Sequence, residues 1–82
     1  MKNLINSSNK LVRWPTKLIQ KQIVINWLSE KFKSNRIYSE REVNNIINNY
    51  HSFNNIALLR RELISMKLLG REKDGSKYWK NG

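Results

Sequence analysis

Apolar residues recur at helical spacing after Pro15: Ile19, Ile23, Val24, Trp27, Leu28 and Phe32 fall on one broad face. The spacing predicts a first helix over residues 16–32, with Pro15, which has no N–H to donate, at the first helical position. Ser34-Asn35 interrupts the pattern, and Arg36-Ile37-Tyr38 is long enough only for a small strand or an extended connector. Ser39 followed by Glu42 has the spacing of a capping box, in which hydroxyl and carboxylate satisfy each other's backbone N–H groups. Val43, Ile46, Ile47 and Tyr50 continue from that cap as a second helix. The connector His51-Ser52-Phe53-Asn54-Asn55 offers two asparagines as caps for a third helix beginning near Ile56. Its inward stripe reads Ile56, Leu59, Leu63 and Met66, which leaves Ala57, Arg60, Arg61, Ile64, Ser65 and Lys67 to the flank or to solvent.

Past Leu68-Leu69-Gly70, the residues around Asp74-Gly75 read as a two-stranded ribbon, the dipeptide suiting a type I′ turn. Tyr78 and Trp79 would pin this ribbon, one of them facing the helices, because an isolated hairpin is marginal in water. Trp27 lies on the apolar stripe of the first helix and is expected in the core, while Trp14 and Trp79 are expected to pack on each other. Residues 1–12 lack periodicity and read as a flexible basic tail, leaving residues 13–82 as the folded domain. The predicted fold class is α+β, mainly α. Three helices, a short strand after the first and a C-terminal two-stranded wing are the element order of a winged helix-turn-helix.

Length changes this picture little: 82 residues hold a single domain. The absence of cysteine excludes a disulfide framework, a thiolate metal site and a cysteine nucleophile. The first ten residues contain no apolar run long enough for a signal peptide or a membrane span, so a cytoplasmic location and no membrane partner are expected. Nothing points to an enzyme. Ser39 reads as a helix cap without a base to activate it, Glu40 and Glu42 as first-turn charges suited to the helix dipole, and His51 as a connector residue. With glycine only at 70, 75 and 82, phosphate-loop and dinucleotide motifs are absent, and neither a cofactor nor a metal is expected.

Charge adds more. Sixteen Lys and Arg against six Asp and Glu give a formal net charge of +10, which makes phosphate backbones the obvious counterpart. Charge alone fits equally well an AT-rich genome that favours Lys, Asn and Ile, with the excess serving solubility. Arg60 and Arg61 are the leading candidates for nucleic-acid binding, since guanidinium groups on an exposed helix grip phosphates or read guanine; the alternative pairs one of them with Glu62, Glu42 or Asp74. Lys67, Arg71, Lys73, Lys77 and Lys80 cluster at the end of the third helix and along the wing, where they would straddle a phosphate backbone or simply protect a strand edge. Arg13 and Lys17 form a second basic group at the start of the first helix, where an anion would relieve their unfavourable position on the dipole.

Four blocks carry a family resemblance: Arg13-Trp14-Pro15-x-Lys17, Ile37-Tyr38-Ser39-Glu40-x-Glu42-Val43-Asn44, Ala57-Leu58-Leu59-Arg60-Arg61-Glu62-Leu63 and Asp74-Gly75-Ser76-x-Tyr78-Trp79. Over residues 13–80 the chain resembles a bacterial family of unknown function whose members stand alone or form the C-terminal part of helix-turn-helix transcriptional regulators. The resemblance implies a winged-helix-like fold and a place in transcription regulation. More loosely, residues 63–71 resemble the end of the recognition helix and the start of the wing in bacterial repressors of the multiple-antibiotic-resistance and arsenic-resistance classes. Lys67 stands where those sequences carry the glycine that ends the helix, and Gly70 where a polar residue is common, which predicts a later or different helix end. The expected function is DNA binding through the third helix and the wing, by a monomer or weak homodimer. The rival is a protein-interaction module of the same fold, favoured by Leu58 and Ile64 beside the arginines.

Overall fold

The computed structural model describes residues 4–81. Its elements follow in the order α1 (Leu18–Ser29), β1 (Ile37–Tyr38), α2 (Glu40–Asn49), α3 (Ile56–Ser65), β2 (Leu69–Arg71) and β3 (Tyr78–Lys80). Three helices pack with one antiparallel sheet in the strand order β1-β3-β2, an α+β architecture, mainly α, that is compatible with a wing.

Helix α1 departs most from expectation. It begins at Leu18 behind Lys17, whose side chain makes no capping bond, so Pro15 precedes the helix instead of occupying its first position. At its other end the chain tightens, with Lys31 N–H donating to the Leu28 carbonyl and Phe32 N–H to that of Ser29. Val24, Ile25 and Leu28 are fully buried, whereas Ile19 and Ile23 are 64% and 46% exposed. Trp27 is only half-buried, its ring meeting Tyr50 edge-on at 6.0 Å beneath the Lys31 ammonium. Apolar residues run almost all round this helix, so periodicity alone does not choose a face.

The capping box of α2 forms in full: Glu42 N–H donates to Ser39 Oγ at 3.1 Å, and Ser39 N–H to Glu42 Oε1 at 2.9 Å. That backbone bond, reinforced by Arg36 Nη2 at 2.6 Å, holds the Glu42 carboxyl below the ordinary glutamate range. Helix α3 starts behind Asn55, whose Oδ1 accepts from Leu58 N–H, and buries Leu59 and Leu63. Its end is a Schellman motif in which Leu68 N–H donates to Leu63 O and Lys67 N–H to Ile64 O. The helix thus stops at the position the resemblance marks for glycine, with Lys67 itself held at φ 62°. Asn9, Asn35 and Asn54 occupy the same left-handed region, where asparagine is the best tolerated non-glycine residue, so part of the asparagine richness has a backbone use. Lys67→Gly is expected to stabilise the fold by about 0.5–1 kcal/mol, raising Tm by several degrees. Thermal denaturation checks this, and an unchanged or lower Tm would mean that the lysine side chain compensates its backbone.

In the sheet, Tyr78 lies opposite both Tyr38 and Arg71, and Trp79 opposite Ile37 and Gly70. A Cβ at Gly70 would strike the Trp79 indole, 2.5 Å from Cε2, so glycine lets that ring lie across the hairpin. Trp79 therefore covers β2 and, among the described residues, makes no ring pair with Trp14. The Asp74-Gly75 turn also differs from type I′. Asp74 keeps a negative φ and only Gly75 is positive, at 74°. Gly75 N–H closes a turn onto the Glu72 carbonyl, and Asp74 Oδ1 accepts from Ser76 N–H at 2.9 Å. An aspartate bonding two residues onward favours this Asx geometry over the mirror-image turn, and the Ser76 bonds hold its carboxyl below the usual aspartate range.

Residues 4–12, expected to be flexible, are folded; residues 1–3 of that segment lie outside the described residues. Asn6 N–H donates to the Lys10 carbonyl and Val12 N–H to that of Leu4, forming a small hairpin. Leu11 then pairs with His51 in parallel, donating to Tyr50 O at 2.7 Å and accepting from Ser52 N–H at 2.9 Å. Leu4 and Leu11 join the core. His51 is more than a connector residue: buried, it contacts Ile47 O through Nδ1 at 2.8 Å and accepts from Asn55 N–H at 2.9 Å through Nε2. These partners select the neutral tautomer with its proton on Nδ1, and the ring closes the α2–α3 turn.

Candidate nucleic-acid interface

Burial of Leu59 and Leu63 turns the opposite side of α3 outward, and there Ala57, Arg60, Arg61 and Ile64 line one wall of a cleft at helical spacing. Arg71 and Tyr78, directly paired across β2 and β3, line the other. Strand alternation explains why Arg71 is there. Leu69 and Arg71 share a sheet face, as do their partners Lys80 and Tyr78, and Leu69 and Tyr78 are buried against the helices. Arg71 thus leaves from the helix-facing side of the hairpin. The cleft holds about 330 Å³ and gathers three guanidinium side chains from positions spread over twelve residues of sequence.

The three arginines are not equivalent. Arg60 is half-buried, and its Nη1 donates to Asn44 Oδ1, tying α3 to α2; its partner is an amide and not one of the carboxylates expected. Arg61 and Arg71 are exposed and have no carboxylate partner among the described residues, where Arg36–Glu42 is the one ion pair. Glu40, at the start of α2, reaches the hairpin end and accepts from Tyr78 OH at 3.1 Å. The Gly75 backbone folds over this point, since a Cβ there would lie 3.8 Å from Glu40 Oε1 and 3.9 Å from both Arg71 Nη1 and Tyr78 OH. The cleft therefore presents two free positive groups across its width and one anchored at its side, a charge arrangement suited to phosphate oxygens.

The remaining basic candidates are dispersed. Lys73 and Lys77 are exposed in the loop between the strands, Lys80 is half-buried opposite Leu69, and Lys67 is exposed at the end of α3. Arg13 lies elsewhere, lining a 290 Å³ hollow with Leu4, Trp14, Pro15, Thr16 and Gln20, and Lys17 stands exposed ahead of α1. The structure thus brings together Arg60, Arg61 and Arg71 but does not place Arg13 or Lys17 with them. Sequence reading missed Asn44, Glu40 and Tyr78 as the groups that shape the cleft. Their partners lie 16 residues away for Asn44 and 38 for the Glu40–Tyr78 pair, separations to which periodicity is blind.

Among the described residues no helix is long and apolar enough to cross a membrane. No curated protein and no solved structure matches the chain closely enough to be counted as similar. One family model does, over residues 10–80, nearly the whole chain and including every lining residue of the arginine cleft. The chain belongs to the family described as uncharacterized protein conserved in bacteria (DUF2087).

Proposed function

We propose that this protein is a winged-helix duplex-DNA-binding protein, a small cytoplasmic transcription regulator acting as a monomer or weak homodimer, without catalytic activity or cofactor. In this reading α3 is offered to the major groove, the β2–β3 hairpin is the wing, and a phosphate of the groove edge enters the cleft between them. The observation that carries the reading is the pair Arg61 and Arg71, two exposed guanidinium groups with no carboxylate partner among the described residues, lining one cleft between a helix and a hairpin. The bond from Arg60 to Asn44 supports it by bracing α3 against α2, which keeps the presenting helix rigid.

Fluorescence anisotropy with a random duplex, at low and near-physiological salt, tests the proposal. The wild-type protein is expected to bind with micromolar affinity that falls steeply with salt. The double variant Arg61→Glu/Arg71→Glu is expected to lose at least about tenfold in affinity and about two units of the logarithmic salt slope, one per phosphate contact. Arg13→Glu/Lys17→Glu carries the same change in net charge and should lose much less. Equal losses would reduce the interaction to diffuse attraction, and absence of wild-type binding at low salt would overturn the reading.

A further inference from the structure

Helix α1 leaves one face uncovered. Leu18, Ile19 and Ile23 are 68%, 64% and 46% exposed, while Val24, Ile25 and Leu28 are fully buried. Gln22 and Asn26, both exposed, continue this outer face at the helical spacing 19, 22, 23, 26. Beside them opens a hollow of about 300 Å³ whose other lining residues are Met66 and Leu68, at the end of α3. Ridge and hollow are contiguous along α1. Three largely exposed aliphatic side chains amount to a few hundred Å², the scale at which apolar surface marks an interaction site.

Charge indicates what covers it. Residues 1–29 contain Lys2, Lys10, Arg13, Lys17 and Lys21 but no Asp or Glu, exposed Glu30 stands one turn past Asn26 at the far end of α1, and Lys67 lies between the two α3-side residues of the hollow. A second copy would bring the same positive border, and the ridge is well below the roughly 800 Å² per partner of a stable interface. A lipid surface would have to desolvate the Gln22 and Asn26 amides against acyl chains. An amphipathic helix satisfies all of these groups, placing apolar residues on the ridge, polar side chains on the amides and carboxylates near the lysines. We infer that this face of α1 docks an amphipathic helix of an acidic protein partner, with its apolar stripe on Ile19 and Ile23 and its carboxylates toward Lys17 and Lys67.

The probe is a synthetic peptide of about five helical turns, with leucines at i, i+3, i+4 and i+7 and glutamates elsewhere, titrated into isotope-labelled protein and followed by amide chemical shifts. Binding is expected to move signals along α1 and around Met66–Leu68. Ile19→Ser/Ile23→Ser, at exposed positions where the fold is little affected, should weaken it by at least about tenfold, and Arg61→Glu/Arg71→Glu by less than about twofold. A scrambled peptide of the same composition should bind at least about tenfold more weakly, because it keeps the charge and loses the stripe. Equal binding of the scrambled peptide, or no effect of the isoleucine substitutions, would overturn the inference. So would phosphatidylserine-containing vesicles, or self-association seen by sedimentation, depending on Ile19 and Ile23 where the peptide does not. Loss of the DNA interaction alone would leave it standing, since the two surfaces share no lining residue.

Discussion

Leu11→Ala is expected to destabilise the protein by about 2–5 kcal/mol, the range for emptying a fully buried leucine site. The residue has no exposed surface, and its backbone bonds to Tyr50 and Ser52 on either side of His51. Truncation would therefore remove core volume at the place where the N-terminal hairpin grips the α2–α3 connector. Because a domain of this size holds only about 5–15 kcal/mol in total, the loss should be plain in urea denaturation as a lower midpoint with an unchanged slope. Leu59→Ala, at an equally buried position in α3, provides the scale. A loss at Leu11 below about 0.5 kcal/mol, the surface-substitution level, would mean that the hairpin does not dock in solution.

Tyr78→Ala is expected to be more damaging still, about 3–5 kcal/mol, close to unfolding at ambient temperature. Tyr78 is the largest fully buried side chain and sits on the middle strand, opposite both Tyr38 and Arg71, so its ring joins the sheet to the helices. Tyr78→Phe retains the ring and removes the bond to Glu40, and should lose only about 0.5–1.5 kcal/mol. Circular-dichroism melts of the pair separate the two contributions. A phenylalanine variant as unstable as the alanine variant would assign the effect to the hydroxyl and its carboxylate partner, and not to packing.

The quality of the sequence reading tracks the range of the interactions involved. The Ser39–Glu42 box closes within four residues, and it forms as its spacing predicts. Helix α3 was legible because its stripe is flanked by arginines, serine and glutamate, so only one side can be buried at low cost; Leu59 and Leu63 are the residues it buries. Helix α1 has no such contrast, which is why Ile19 and Ile23 read as core and Ile25 was overlooked. The first twelve residues read as tail because Leu4, Ile5 and Leu11 are too sparse to show a period, yet a core that already exists can accept single leucines from a polar segment.

For the candidate site the division is similar. Arg60, Arg61 and Arg71 were all recognisable as basic residues on a presenting helix and hairpin, as were the lysines around them. That Arg60 is fastened to Asn44 while Arg61 and Arg71 have no carboxylate partner among the described residues, and that Arg13 and Lys17 lie elsewhere, follows from which elements meet. Hydrophobic periodicity, capping spacing and turn chemistry act over a few residues, and they determined the number, order and type of the elements. Which face of α1 is buried, where the N-terminal segment docks and which arginines converge were decided only in the tertiary structure. Burial and electrostatic pairing depend on neighbours brought close by the fold, and those neighbours leave no period in the chain.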